Sequence, residues 1–208
     1  HPANCLRLHF FGVHSARNTT HGNKAVGLGI KLALRSRNSF HRADVLTAML
    51  TKEIELTMLD GSTRSLTDFA GKVVLVVNVA SRCGLSPQYE ALETLQKKYQ
   101  DRGFTVLGVP SGSFKQELKD DAAIGEYCSS TWGITFPMTE KSDVNGRNRH
   151  ELYKDLVKIK DSKGLAGPVM WNFEKFLLLP DGKAMRFRPT VRPDAPEIIE
   201  AIEANLQG

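Results

Sequence analysis

With 208 residues, 41% of them hydrophobic and 25% charged, the chain has the composition of one globular unit with a substantial core, which excludes a disordered tail or a disulfide-stapled miniprotein. Its formal charge of +5 hints at nucleic acid, but residues 1–43 hold seven Lys and Arg and no acid, so the remainder carries 21 basic residues against 23 acidic ones. The body is not basic, and no nucleic-acid partner is expected.

Residues 1–48 form a basic leader, free of acidic residues through Ala43 and without a patterned apolar face, and are expected to be disordered. Two origins fit its Arg- and Ser-containing composition. One is an organellar, mitochondrial-type transit peptide; the other is translated sequence upstream of a start at Met49, which leaves the protein cytoplasmic. Five of the six histidines scatter through this leader, and no Cys/His spacing suits zinc, so no metal or cofactor is expected. Cys5, Cys83 and Cys128 are too few and too widely spaced for a stapling framework, which makes a reducing compartment the default. The apolar stretch from Ala25 to Leu34 is broken by Gly27, Gly29 and Lys31, so no membrane span is expected.

The body, residues 49–208, reads as a single domain. Glu53 to Leu59, the Asp60-Gly61 turn and Ser62 to Leu66 predict an N-terminal hairpin. Val73 to Ala80 is an almost unbroken β-branched run, the pattern of a strand buried on both faces. Ser86 as cap and Pro87 at the first position predict a helix carrying Leu92, Leu95 and Tyr99 inward until Gly103, and Phe104 to Val109 follows as a second buried strand. Strand, helix and strand make a right-handed βαβ unit. Helices are expected over Asp120 to Ser130, with Ile124, Tyr127 and Cys128 on one face, and over His150 to Ile159. A hairpin turning at Asp181-Gly182 and a closing helix from Asp194 complete an α/β chain with a mixed sheet and helices on both faces.

The chemistry concentrates at Asn78-Val79-Ala80-Ser81-Arg82-Cys83-Gly84-Leu85-Ser86-Pro87-Gln88-Tyr89. A cysteine between a buried strand and a helix N-terminus meets unpaired N–H groups and the positive end of the dipole, the setting that favours a nucleophilic thiolate. An inert buried cysteine is the alternative that position alone leaves open. This segment resembles the peroxidatic segment of glutathione peroxidases, in which selenocysteine or cysteine occupies the position of Cys83. Trp171-Asn172-Phe173-Glu174-Lys175-Phe176 resembles the family's second signature, and Gly133 to Pro137 with Asp143-Val144-Asn145-Gly146 its linking region. The likeness runs in order from about Ile54 to Leu206 and favours bacterial members.

The resemblance implies a thioredoxin-like fold and a thiol peroxidase. Trp171 and Asn172 would supply N–H donors beside the sulfur, acting like an oxyanion hole on the leaving oxygen. The family's catalytic Gln falls on Ser113, with one residue missing before Gln116-Glu117; Gln116 is the nearby amide, although register does not align it. Loss of such a donor typically costs about 10² in rate, near 3 kcal/mol. Cys128 falls where similar cysteine-type members carry their resolving cysteine, so Cys83 would pass from thiolate to sulfenic acid to a disulfide with Cys128. The compact His150 to Trp171 segment resembles the monomeric, thioredoxin-dependent branch, with glutathione as the alternative reductant. Ser113 motivates a second reading, a low-turnover redox sensor or relay. A thioredoxin-like dithiol oxidoreductase is disfavoured, because Cys83 is followed by Gly84, Leu85 and Ser86 and not by a C-x-x-C partner.

Overall fold

The structure, a computed structural model, describes residues 50–207; the leader expectations, with Cys5, lie outside the described residues. Strands β1 (Glu55–Thr57) and β2 (Thr63–Ser65) pair antiparallel with Leu56 opposite Arg64. Asp60 fixes their turn by accepting from the Ser62 N–H at 2.9 Å, and Gly61 takes φ 81°. The hairpin is a separate two-stranded sheet. Ser65 and Asp68 then form a capping box on a 3-10 turn, Leu66–Phe69.

The central sheet begins with β3 (Val73–Val79), every residue of which is buried. Helix α1 (Gln88–Tyr99) leads to β4 (Phe104–Pro110), which pairs parallel with β3. Helices α2 (Asp121–Trp132) and α3 (Glu151–Leu156) follow, then the hairpin β5 (Lys175–Leu178) and β6 (Ala184–Phe187) and the closing helix α4 (Pro196–Glu203). Strand order is β4-β3-β5-β6, with β5 antiparallel to both neighbours. The two-residue period of β3 splits its side chains between two cores. Val73, Leu75, Val77 and Val79 pack with Leu92, Tyr99, Ile124, Cys128, Ile198 and Ile202, while Val74 and Val76 pack with Leu152, Tyr153 and Leu156. Helices therefore cover both faces of a mixed sheet, in a thioredoxin-like fold. Among the described residues no helix is long and apolar enough to cross a membrane.

Three helix boundaries differ from the sequence expectation. Ser86 caps nothing: its N–H turns back to the Cys83 carbonyl at 2.9 Å, so α1 starts at Gln88 with Pro87 as cap. The closing helix starts at Pro196 because the Asp194 carboxylate is engaged by Arg192 at 2.9 and 3.1 Å. Helix α3 stops at Leu156, after which Lys158 and Ile159 donate to the carbonyls three residues back, tightening the chain out of α geometry.

Candidate active site

The strand-to-helix turn holds Cys83 through backbone bonds on either side of it. Beyond β3, the Ser81 N–H donates to Glu117 Oε1 at 3.0 Å and the Arg82 N–H to the Gln116 carbonyl at 2.9 Å. Within the turn, Leu85 N–H points at Cys83 Sγ at 3.4 Å. This single aimed N–H supplies locally what the helix terminus was expected to supply, a donor that strengthens when sulfur is ionised. Cys83 is 5% exposed. The Arg82 side chain is exposed, so solvent screens its charge.

The Trp171-Asn172 turn is clamped from within the sheet by Asn78. In a strand otherwise apolar, Asn78 is fully buried and bonds three positions of the facing loop. Its Nδ2 donates to the Trp171 carbonyl at 3.0 Å, its carbonyl accepts from Phe173 N–H at 2.6 Å, and its Oδ1 accepts from Glu174 N–H at 3.1 Å. Those bonds hold Phe173 at φ 63°, a left-handed conformation that costs an ordinary residue about 1–2 kcal/mol. The other end of the loop is held by charge. Glu174 Oε2 accepts from Met170 N–H at 2.7 Å, while its Oε1 accepts from Arg186 Nε at 2.5 Å and Arg188 Nη1 at 2.7 Å. Arg186, fully buried, also donates to the carbonyls of Ile159, Gly167 and Pro168 at 3.2, 2.9 and 2.9 Å, and so ties the segment that leads into Trp171.

On this platform Asn172 is fully buried and Trp171 is 42% exposed, its ring packed on Phe114 at 5.1 Å between centroids. Asn172 Nδ2 donates to Gln116 Oε1 at 2.9 Å. Ser113 is engaged elsewhere: its hydroxyl donates to Asp143 Oδ1 at 3.4 Å and accepts from Val144 N–H at 3.0 Å, which staples one loop to another. The carboxamide that meets Asn172 is therefore that of Gln116. Sequence reasoning missed Asn78, Glu174 and Arg186, although a lone amide in an apolar strand was a signal for the first.

Cys128 sits on α2, 2% exposed, in the same packed cluster as Cys83, and both are free thiols. Burial pushes its pKa up to about 11; the Glu117 carboxylate acts in the same direction and the facing Tyr89 hydroxyl against it. An open groove of about 500 Å³ lies beside α2, lined among others by Met58, Arg64, Phe69, Cys128, Phe136 and Met138. It does not touch Cys83 or Trp171. Among the described residues no cluster of His, Cys, Asp and Glu could hold a metal ion.

The chain is similar to several known proteins. The glutathione peroxidase family model matches residues 51–157. The thioredoxin/glutathione peroxidase BtuE of Escherichia coli K12 is 46% identical over 169 residues, 71% of this chain and 92% of that protein. The glutathione peroxidase-like peroxiredoxin 2 of Saccharomyces cerevisiae is 45% identical over 147 residues, 69% of this chain and 90% of its own. Among solved structures, apo Trgpx superposes with a TM-score of 0.56 at 36% identity, over 74% of this chain and 93% of that one.

Proposed function

The chain belongs to the glutathione peroxidase family and is a thiol peroxidase, and from that premise we propose that it works by a two-cysteine cycle with thioredoxin as reductant. Cys83 thiolate attacks the terminal peroxide oxygen; the O–O bond breaks, an alcohol or water leaves with a proton, and Cys83 becomes a sulfenic acid. Cys128 then attacks that sulfur, the S–O bond breaks, water leaves and a Cys83–Cys128 disulfide forms. A thioredoxin dithiol reduces it. Trp171 and Asn172 provide N–H groups for the charge that develops on the leaving oxygen. Sulfur supplies the redox chemistry, so no cofactor is needed, and the compact segment before Trp171 supports a monomer.

The observation that carries this reading is the Leu85 N–H aimed at Cys83 Sγ, in a turn that hydrogen bonds tie through Gln116 to Asn172. The name of the Escherichia coli relative supports thioredoxin, with glutathione as the alternative. Hydroperoxide-dependent oxidation of thioredoxin tests it. Cys83→Ser should abolish turnover and Cys128→Ser should leave a small residue; equal rates in wild type and Cys83→Ser would refute it.

A second reading, a low-turnover sensor or relay on the same site, is favoured by the packing of Cys128, whose thiol at a pKa of about 11 is a slow attacker at neutral pH. Fast single-turnover oxidation with negligible cycling would support the relay.

A further inference from the structure

We propose that the groove beside α2 binds an amphipathic carboxylate, an anion of the fatty-acid type, and that its occupancy holds Cys128 in place and so slows disulfide formation. The second half of this inference rests on the two-cysteine cycle, whereas the binding does not. At about 500 Å³ the groove has the size of a small-molecule site, and it touches neither Cys83 nor Trp171. Buried Phe69, Phe136 and Met138 give it an apolar floor, and exposed Arg64 and Lys72 stand at its rim. Among the described residues neither cation forms an ion pair or a side-chain hydrogen bond. Asp60 is the one acid in the lining, and its carboxylate is taken by the Ser62 N–H and hydroxyl at 2.9 and 2.6 Å. Its charge offsets one cation and leaves the rim positive. A carboxylate head for the two cations, carried on an acyl tail for the floor, satisfies both features at once.

The two walls of the groove differ in strength. One is the N-terminal hairpin, which the backbone ties to the segment after α2: Leu59 N–H donates to the Met138 carbonyl at 2.9 Å and Glu140 N–H to the Thr57 carbonyl at 2.8 Å. The other is α2 itself, which presents Gly125, Cys128 and Ser129, positions three and four residues apart on one helical face. That helix buries only Ile124 and Cys128, and a helix with so few buried contacts opens at low cost. A ligand lying across both walls binds the closed helix and loses its site when the helix opens. Mass action then favours the closed form, in which Cys128 is packed away. Oxidation of Cys83 draws on neither wall and is left unaffected.

The probe is decanoate below its micelle concentration, titrated calorimetrically into the full chain. Decanol, which lacks the charge, and butyrate, which lacks the tail, should each bind at least about tenfold more weakly. The double variant Arg64→Gln with Lys72→Gln changes only exposed side chains and should weaken decanoate by about tenfold or more. With decanoate at about ten times its dissociation constant, one equivalent of hydrogen peroxide should form the Cys83–Cys128 disulfide about tenfold more slowly, while Cys83 oxidation stays within about twofold of its ligand-free rate. At the same decanoate concentration the double variant should form the disulfide within about twofold of its own ligand-free rate. The inference is overturned if decanoate does not bind, if decanol binds as tightly, if the double variant keeps wild-type affinity, or if bound decanoate slows neither step or both alike. A chain that forms no Cys83–Cys128 disulfide without decanoate would instead overturn the functional reading, and the titration would still decide whether the groove binds the anion.

Discussion

The two cysteines share one core, Cys83 in a turn and Cys128 on a helix, yet their supports are built to opposite standards. The Cys83 turn is bonded on both sides and leads into α1, which buries eight of its residues, Tyr89, Leu92, Leu95 and Tyr99 among them. Helix α2 buries only Ile124 and Cys128, carries Gly125 in its first half and exposes the Ser129-Ser130-Thr131 run near its end. A nucleophile that must meet peroxide in one geometry gains from rigidity. A thiol that must reach another residue gains from a support that opens cheaply, and segments with few buried contacts open first.

The rigid half should break hardest at Arg186. Arg186→Met removes one partner of a buried charge pair and strips three loop carbonyls of their donor, so stability should fall by about 3–5 kcal/mol. Thermal unfolding should show this as a drop of about 10 °C. Asn78→Leu comes next: it leaves the Trp171 carbonyl and Glu174 N–H unpaired in the interior, at about 2–4 kcal/mol together. The same variant should lose about 10² in the rate of Cys83 oxidation, because the Trp171-Asn172 platform loosens. A platform that tolerates Asn78→Leu at full rate would mean that the clamp has no bearing on the chemistry.

A third effect comes from Lys175, fully buried on β5, whose Nζ donates to the Pro189 and Val191 carbonyls at 3.1 and 2.5 Å. Gln88, at the start of α1, donates to the same Pro189 carbonyl. Burial pushes the Lys175 pKa down to about 7, against the pull of the Glu174 charge. Between pH 7 and its ordinary value near 10.5, the unfolded chain holds a proton that the folded chain lacks, so this lysine makes stability rise with pH. The slope should be at most about 1.4 kcal/mol per pH unit, and should vanish below pH 7, where both states are protonated. Urea unfolding of wild type and Lys175→Met across pH 7–9 isolates it as a difference between the two curves.

The smallest change probes the soft half. Gly125→Ala adds a methyl that meets Leu59 at an ordinary 3.6 Å and should stabilise α2 by about 0.5–1 kcal/mol. Disulfide formation should then slow two- to fivefold, while Cys83 oxidation is unchanged, as rapid-quench thiol trapping can measure. Equal slowing of both steps would show that the halves are not mechanically separate.

Much of this contrast was legible in the chain. The unbroken β-branched run announced β3, and the motifs around Cys83 and Trp171 announced a peroxidase, because strand burial and signature segments are local. Helix ends were read less well: Ser86 and Asp194 have cap-forming chemistry, but Ser86 falls within the turn that precedes Gln88, and the Asp194 carboxylate is taken by Arg192. Gln116 was the hardest to place. Its partner Asn172 lies 56 positions away, and the left-handed Lys115 that redirects the loop has no residue-type signal, so register pointed to Ser113. The Glu174-Arg186-Arg188 network was invisible for the same reason, being assembled from strand ends and loops that only the fold brings together.

The division of labour between a fixed Cys83 and a releasable Cys128 is tested most directly by intact mass and peptide mapping after one equivalent of hydrogen peroxide, with no reductant present. The expected product has lost two hydrogens and carries a Cys83–Cys128 cross-link. A stable gain of oxygen on Cys83, with Cys128 still a free thiol, would contradict it.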